Sequence, residues 1–190
     1  MRRTTAALIL LLAVVIRVSA DARLVATATT GRVEYTTETG VWRTVFTGRE
    51  TPERTTVATR ARAQLVLAAE SHTITVGGLT HATIDRVERL SDGLHVALTV
   101  VGGRVIVEHA PDGEPFSIVI ETPFVTVTAR DASFVLDGRG VSVTQGEVLL
   151  MNRSGRSVVL RTGEASRSVT GARPSPIERA REDRSLVFPR

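Results

Sequence analysis

The chain reads as an all-β protein, and three observations carry that reading. Apolar residues alternate with polar ones along many short segments, and β-branched side chains dominate, with 27 Val and 25 Thr in 190 residues. Asp-Gly and Gly-Gly pairs fall where the alternation breaks. Strands of this length at roughly ten-residue spacing build solenoids, sandwiches and barrels. The expectation is an irregular β-solenoid-like domain, with a β-sandwich as the alternative, since both need the same alternation.

Taken in order, the first element is not part of that domain. Met1-Arg2-Arg3 supplies positive charge, Ala6 to Ile16 is an unbroken apolar run of eleven residues, and Val18-Ser19-Ala20 offers small residues before a cut. This is the layout of a secretory signal peptide over residues 1–20. The competing reading is a retained anchor, but a spanning helix wants about 20 apolar residues and this run stops at Arg17. The mature protein is therefore expected in a bacterial periplasm or outside the cell, without a stable membrane span. The absence of cysteine removes disulfides, thiol chemistry and lipidated cysteine from consideration.

Residues 21–30 read as a linker and residues 31–170 as the domain. Within it, Leu65, Leu67 and Ala69 share one parity, as do Leu94, Val96, Leu98 and Val100. Phe116, Ile118 and Ile120 follow, then Val125, Val127 and Ala129, then the pairs Phe134/Leu136, Val141/Val143, Val148/Leu150 and Val158/Leu160. Each set marks a strand with one face toward a core. Asp92-Gly93, Asp112-Gly113 and Asp137-Gly138 mark tight turns, and Gly77-Gly78 and Gly102-Gly103 mark further connections. A Gly-x-Val motif opens three apolar segments, at Gly31, Gly103 and Gly146. A glycine at a corner followed by an inward Val suits successive turns of a winding chain. From Gly171 onward Pro174, Pro176 and the charged run Ile177 to Ser185 read as a tail outside the core, with one short helical turn at most.

The basic balance is misleading. All 24 basic residues are arginine, and three of them lie in the signal segment, so residues 21–190 carry 21 arginines against 20 acids. Signs alternate along the chain, as in Glu53-Arg54 and Asp85-Arg86, and aromatics are few, so nucleic acid is not an expected partner.

Chemistry is sparse. His72, His81, His95 and His109 are scattered, with none at metal-ligand spacing, and His72 shares parity with Ile74 and Val76 while His95 should face water. There is no nucleophile elbow and no phosphate-binding glycine loop. The three Asp-Gly acids have a sufficient task in their turns. Trp42 shares parity with Thr44 and Phe46 and reads as a core or rim residue. The expectation is no enzyme, no catalytic residue, no cofactor and no metal.

The order of elements resembles the FecR domain family, the periplasmic sensor domain of iron-responsive sigma-factor regulators. Gly31-x-Val33, Trp42, Gly48, Thr59 and Arg62-Ala63-x-Leu65-x-Leu67 follow its opening. Gly103-x-Val105, Phe116-Ser117-Ile118, Thr122-Pro123, Val125-x-Val127, Phe134-x-Leu136, Gly146-x-Val148 and Gly163-Glu164 follow its second half. Two places depart: Arg130-Asp131-Ala132-Ser133 stands where members carry Arg-Gly-Thr, and Ala69-Glu70-Ser71 lacks the usual glycine. The resemblance implies an all-β envelope module that works by protein contact, with no catalytic residues to transfer. Only five residues precede the apolar run, so the family's cytoplasmic sigma-binding part is not expected here.

The leading expectation is thus an exported, non-enzymatic protein-binding, sensor or scaffold module with an envelope protein as partner. The alternative is an envelope carbohydrate binder or hydrolase whose site gathers residues such as Asp92, His95 and His109 from separate strands.

Overall fold

The structure, a computed structural model, describes residues 22–37, 40–138 and 140–167, and the backbone of residues 178–179. Residues 1–20, read as a signal peptide, and the rest of the segment read as a tail lie outside the described residues. Every regular element described is a strand. In chain order they are β1 (Leu24–Thr30), β2 (Val33–Thr36), β3 (Arg43–Thr44), β4 (Glu50–Thr51), β5 (Thr55–Thr59), β6 (Gln64–Ala69), β7 (His72–Val76) and β8 (His81–Leu90). There follow β9 (Gly93–Gly102), β10 (Arg104–His109), β11 (Phe116–Glu121), β12 (Val125–Asp137), β13 (Gly140–Asn152), β14 (Ser157–Arg161), β15 (Glu164–Arg167) and β16 (Glu178–Arg179).

The all-β expectation holds. The segment read as a linker does not: residues 24–30 form β1, paired with β6 on one side and β4 on the other, with Leu24 and Ala26 in the core. Its alternation is hidden in the sequence because a register shift between Ala26 and Ala28 breaks the parity after two inward residues. Glu178–Arg179, within the tail, pair with β15 as the short strand β16.

One hairpin organises the rest. β12 and β13 pair along their length, from Val125 opposite Asn152 to Asp137 opposite Gly140. On its other edge β12 carries β11 along its first half and β10 along its second. From these the sheet extends as two wings, β11-β9-β8-β5-β2-β3 and β10-β7-β6-β1-β4. The described pairings are antiparallel except β9 with β11, which run parallel and in register from Leu94/Phe116 to Thr99/Glu121. A single cluster of buried side chains draws on both wings, so the sheet curls about its own apolar face.

The chain passes from wing to wing repeatedly: β1 to β2, β3 to β4, β4 to β5, β5 to β6, β7 to β8, β9 to β10 and β10 to β11. Most of these corners lie against each other. Arg60 N–H donates to Arg32 O, Leu79 N–H to Arg60 O, and Gly77 N–H to Arg104 O. The Gly-x-Val motif belongs to this winding. Gly103 sits at the β9–β10 corner at φ +100°, and a Cβ there would lie 2.4 Å from Thr80 Cα. Gly146, at φ +81°, faces Asp131 and Ala132 where the β12–β13 ladder shifts register and the long hairpin bends. Only glycine combines that backbone conformation with so close a neighbour. Two residues on, Val33, Val105 and Val148 each enter the core.

Thr80 ties two corners together. Its buried hydroxyl donates to Arg104 O at 3.2 Å and accepts from Arg104 N–H at 2.8 Å, while its own N–H donates to Thr59 Oγ1 at 2.9 Å. Thr80→Val keeps the shape but strands Arg104 N–H. It is expected to cost about 1–3 kcal/mol, read from the urea midpoint at constant slope.

Candidate functional site

The outer surface of the β12–β13 region is where the sequence leaves something unspent. In β13, Val148 and Leu150 point inward, which forces Leu149 and Met151 outward. In β14, Leu160 points inward and Val159 outward. Register then aligns the outward residues across five strands. Ala97 stands beside Val119, Val119 beside Thr128, Thr128 beside Leu149, and Leu149 beside Val159. Leu149, Met151 and Val159 are 39%, 43% and 44% exposed, and Phe124, just before β12, is 48% exposed.

This row runs out at an open edge. Among the described residues β14 pairs with β13 alone, so the backbone groups along its far side have no strand partner. The sheet path also ends at β3 and β4, but each is two residues long against five in β14. An exposed edge of useful length beside apolar side chains is a template for strand addition, with main-chain bonds giving affinity and side chains selectivity.

The residues singled out for chemistry distribute as follows. Asp92 and His95 meet: His95 Nε2 and Asp92 Oδ1 are 2.9 Å apart, with Arg130 at 3.9 Å from the same carboxylate. The hydrogen bond to His95, more than the charges around it, holds the Asp92 carboxyl below its ordinary range. The pair sits on the surface around the β8–β9 turn. His109 instead lies in the interior with His72, their Nδ1 atoms 3.2 Å apart. The three residues named for a hydrolase-like site thus occupy two different settings. Among the described residues no group of three His, Asp or Glu side chains is placed to hold a metal ion.

His72 points inward as its parity indicates. His81 is exposed, its ring 6.1 Å from that of Trp42 at 55°. Trp42, Thr44 and Phe46 are exposed together and Val45 is buried, so the shared parity holds and Trp42 is a rim residue, not a core one. The reason is local. β3 is only two residues long, and Arg49 N–H bonds back to Phe46 O, turning the chain before an alternating face is established. Asp137 caps its hairpin by accepting from Gly140 N–H at 3.2 Å, the turn role assigned to it. The His72–His109 pairing has no local signature, because the two residues are 37 apart in sequence and meet only through the register of β7 and β10.

Among the described residues no helix is long and apolar enough to cross a membrane. No family model matches the chain, and no curated protein does. Among solved structures, the chain is similar to two crystal structures described as "a putative anti-sigma factor from Parabacteroides distasonis ATCC 8503". The TM-scores are 0.47 and 0.46 at 16% and 17% identity, over 58% of this chain in both cases. This chain spans about half the length of those proteins, 53% of each.

Proposed function

We propose that this protein is a non-enzymatic, FecR-like binding module of the bacterial cell envelope, and that it takes a protein partner on the outer face and open edge of β13 and β14. The observation that carries the reading is the outward row Ala97–Val119–Thr128–Leu149–Val159, which ends on an edge strand with no strand beyond it among the described residues. Such a row offers apolar contact, and the edge offers hydrogen bonds that fix a partner's direction and register. The charged surface around it, with Glu147–Arg161 at 3.0 Å beside the edge, supplies a polar rim. Export follows from the layout of residues 1–20, and the FecR-like order of motifs favours a sensor or scaffold task over catalysis.

The test uses the mature chain as bait on envelope extract, beside a Leu149→Lys/Val159→Glu variant, whose opposite charges face each other across the ladder. Both positions are solvent-facing, so melting temperatures should agree within about a degree or two. A partner retained by the wild type should be recovered at least tenfold less by the variant, equivalent to about 1.4 kcal/mol. Equal recovery by both would contradict the assignment of this face.

A further inference from the structure

Two imidazoles are buried together in the interior of the sheet. His72 on β7 and His109 on β10 stand opposite each other in the ladder, 1% and 8% exposed. Their rings are nearly parallel, 8° apart with centroids at 5.1 Å, and His72 also stacks on Phe116 at 4.5 Å. Their Nδ1 atoms are 3.2 Å apart, and His72 Nε2 is buried without a hydrogen-bond partner. An Nδ1–Nδ1 hydrogen bond requires one nitrogen to carry the proton and the other to be bare. A first added proton on the donor ring leaves that bond intact. A second must occupy the bare Nδ1, removes the acceptor, and sets two cations face to face.

The groups around the pair come from four elements. From β12, Asp131 approaches at φ +49°, its Oδ1 accepting from Phe116 N–H at 2.7 Å, and Ser133 Oγ accepts from His109 N–H at 3.0 Å. From the 110–115 connection, Gly113 lies against both Ser71 and His72, and Glu114 is tied by Arg89, which also holds Glu70 of the β6–β7 turn. Phe116 of β11 completes the enclosure. Burial first, and then the His109 imidazole, hold His72 below the ordinary imidazole range, while Asp131 and Glu114 pull partly the other way.

We propose that the His72–His109 pair is an acid-sensitive latch: it keeps the 110–115 connection seated while both rings are neutral or share one charge, and releases it when both are protonated. The connection is the strap most directly affected. It joins the wings between β10 and β11, and it is held by Gly113 N–H to Ala110 O and Leu94 N–H to Pro115 O, both within 3 Å. The latch is independent of the partner-binding reading, and its test reads no partner.

The sign follows from linkage. The unfolded chain protonates His72 at about 6.5, above the folded value, so the stability it contributes is full above that pH and falls as pH drops below it. The mature protein is unfolded in urea at steps from pH 8 to pH 5, beside His109→Gln and His81→Gln. For the wild type the folding constant should fall as pH drops below 6.5, by up to about tenfold per pH unit for the His72 proton. His81→Gln should keep the whole loss between pH 6.5 and pH 5, and His109→Gln should make it smaller without abolishing it, because burial still disfavours the His72 cation while the facing imidazole no longer does. Amide exchange of the wild type, corrected for intrinsic rates, should rise at Gly113 and Leu94 as pH falls, ahead of Leu67 in β6. That second measurement stands even if His109→Gln does not fold. A total loss between pH 6.5 and pH 5 that is as large in a folded His109→Gln as in the wild type, or unchanged protection at Gly113 and Leu94 down to pH 5, would overturn the latch.

Discussion

Gly103→Ala is expected to be among the most damaging single substitutions in this domain. A methyl group there would sit 2.1 Å from Thr80 Oγ1 and 2.4 Å from Thr80 Cα, in a backbone conformation at φ +100° that side-chain-bearing residues avoid. The conformational strain alone is of order 1–3 kcal/mol. The overlap must also push Thr80 away from Arg104, loosening two hydrogen bonds that hold the β7–β8 and β9–β10 corners together. The expected total is about 3–6 kcal/mol, a large share of the ~5–15 kcal/mol that holds a domain of this size folded. Gly48 supplies the comparison. It has φ +86° but open space where a Cβ would stand, so Gly48→Ala should cost only the strain, about 1–2 kcal/mol. Denaturant midpoints of the two variants separate the effects, and equal losses would mean that corner packing is not what the glycine protects.

Phe134→Ala should be comparably severe for a different reason. Phe134 is fully buried in the second half of β12, with Val107 of β10 on one side and Val143 of β13 on the other. It belongs to the hairpin that both wings share, so the cavity opens where neighbours on either side are fixed by ladders and can collapse little. Truncation of a buried phenylalanine costs about 3–5 kcal/mol. Phe124→Ala, at an exposed position ten residues earlier in β12's lead-in, should change stability by no more than about 0.5 kcal/mol. A thermal melt of the two variants side by side checks both expectations.

Much of this architecture was legible in the sequence because a strand writes its facing in every second residue. The sets Leu94–Val100, Phe116–Ile120 and Val125–Ala129 each turn to the core as read, and the Asp92-Gly93 and Asp137-Gly138 turns fall between paired strands. The Gly-x-Val motif also kept its meaning, although its reason became visible only with the corners in place: a positive φ at Gly103 beside Thr80, and at Gly146 beside Ala132. What failed to read was short or irregular. In β1 a bulge interrupts the parity between Ala26 and Ala28, and around Trp42 a two-residue strand is too short for the shared parity to say which face turns inward.

The candidate sites were less legible, for a related reason. The parity that puts Val148 and Leu150 inside also puts Leu149 and Met151 outside, so that half of the interaction face was present in the pattern. Its continuation through Thr128 and Val119 depends on the register of β11, β12 and β13, and the openness of β14 depends on the order of strands. The meeting of His72 with His109 likewise comes from cross-strand register, which no local spacing encodes. Distances along the chain therefore identified the strands and left their neighbours unspecified.

Site-specific photo-crosslinking in living cells tests the central claim most directly. A photoreactive side chain is introduced singly at Leu149, Met151 or Val159, and as comparisons at Val101 and Phe46, which are apolar and more exposed at 61% each. The expected result is one discrete protein adduct of the same mass from 149, 151 and 159, with none from 101 or 46. Adducts of equal yield from Val101 and Phe46, or none from the three positions on β13 and β14, would contradict the account.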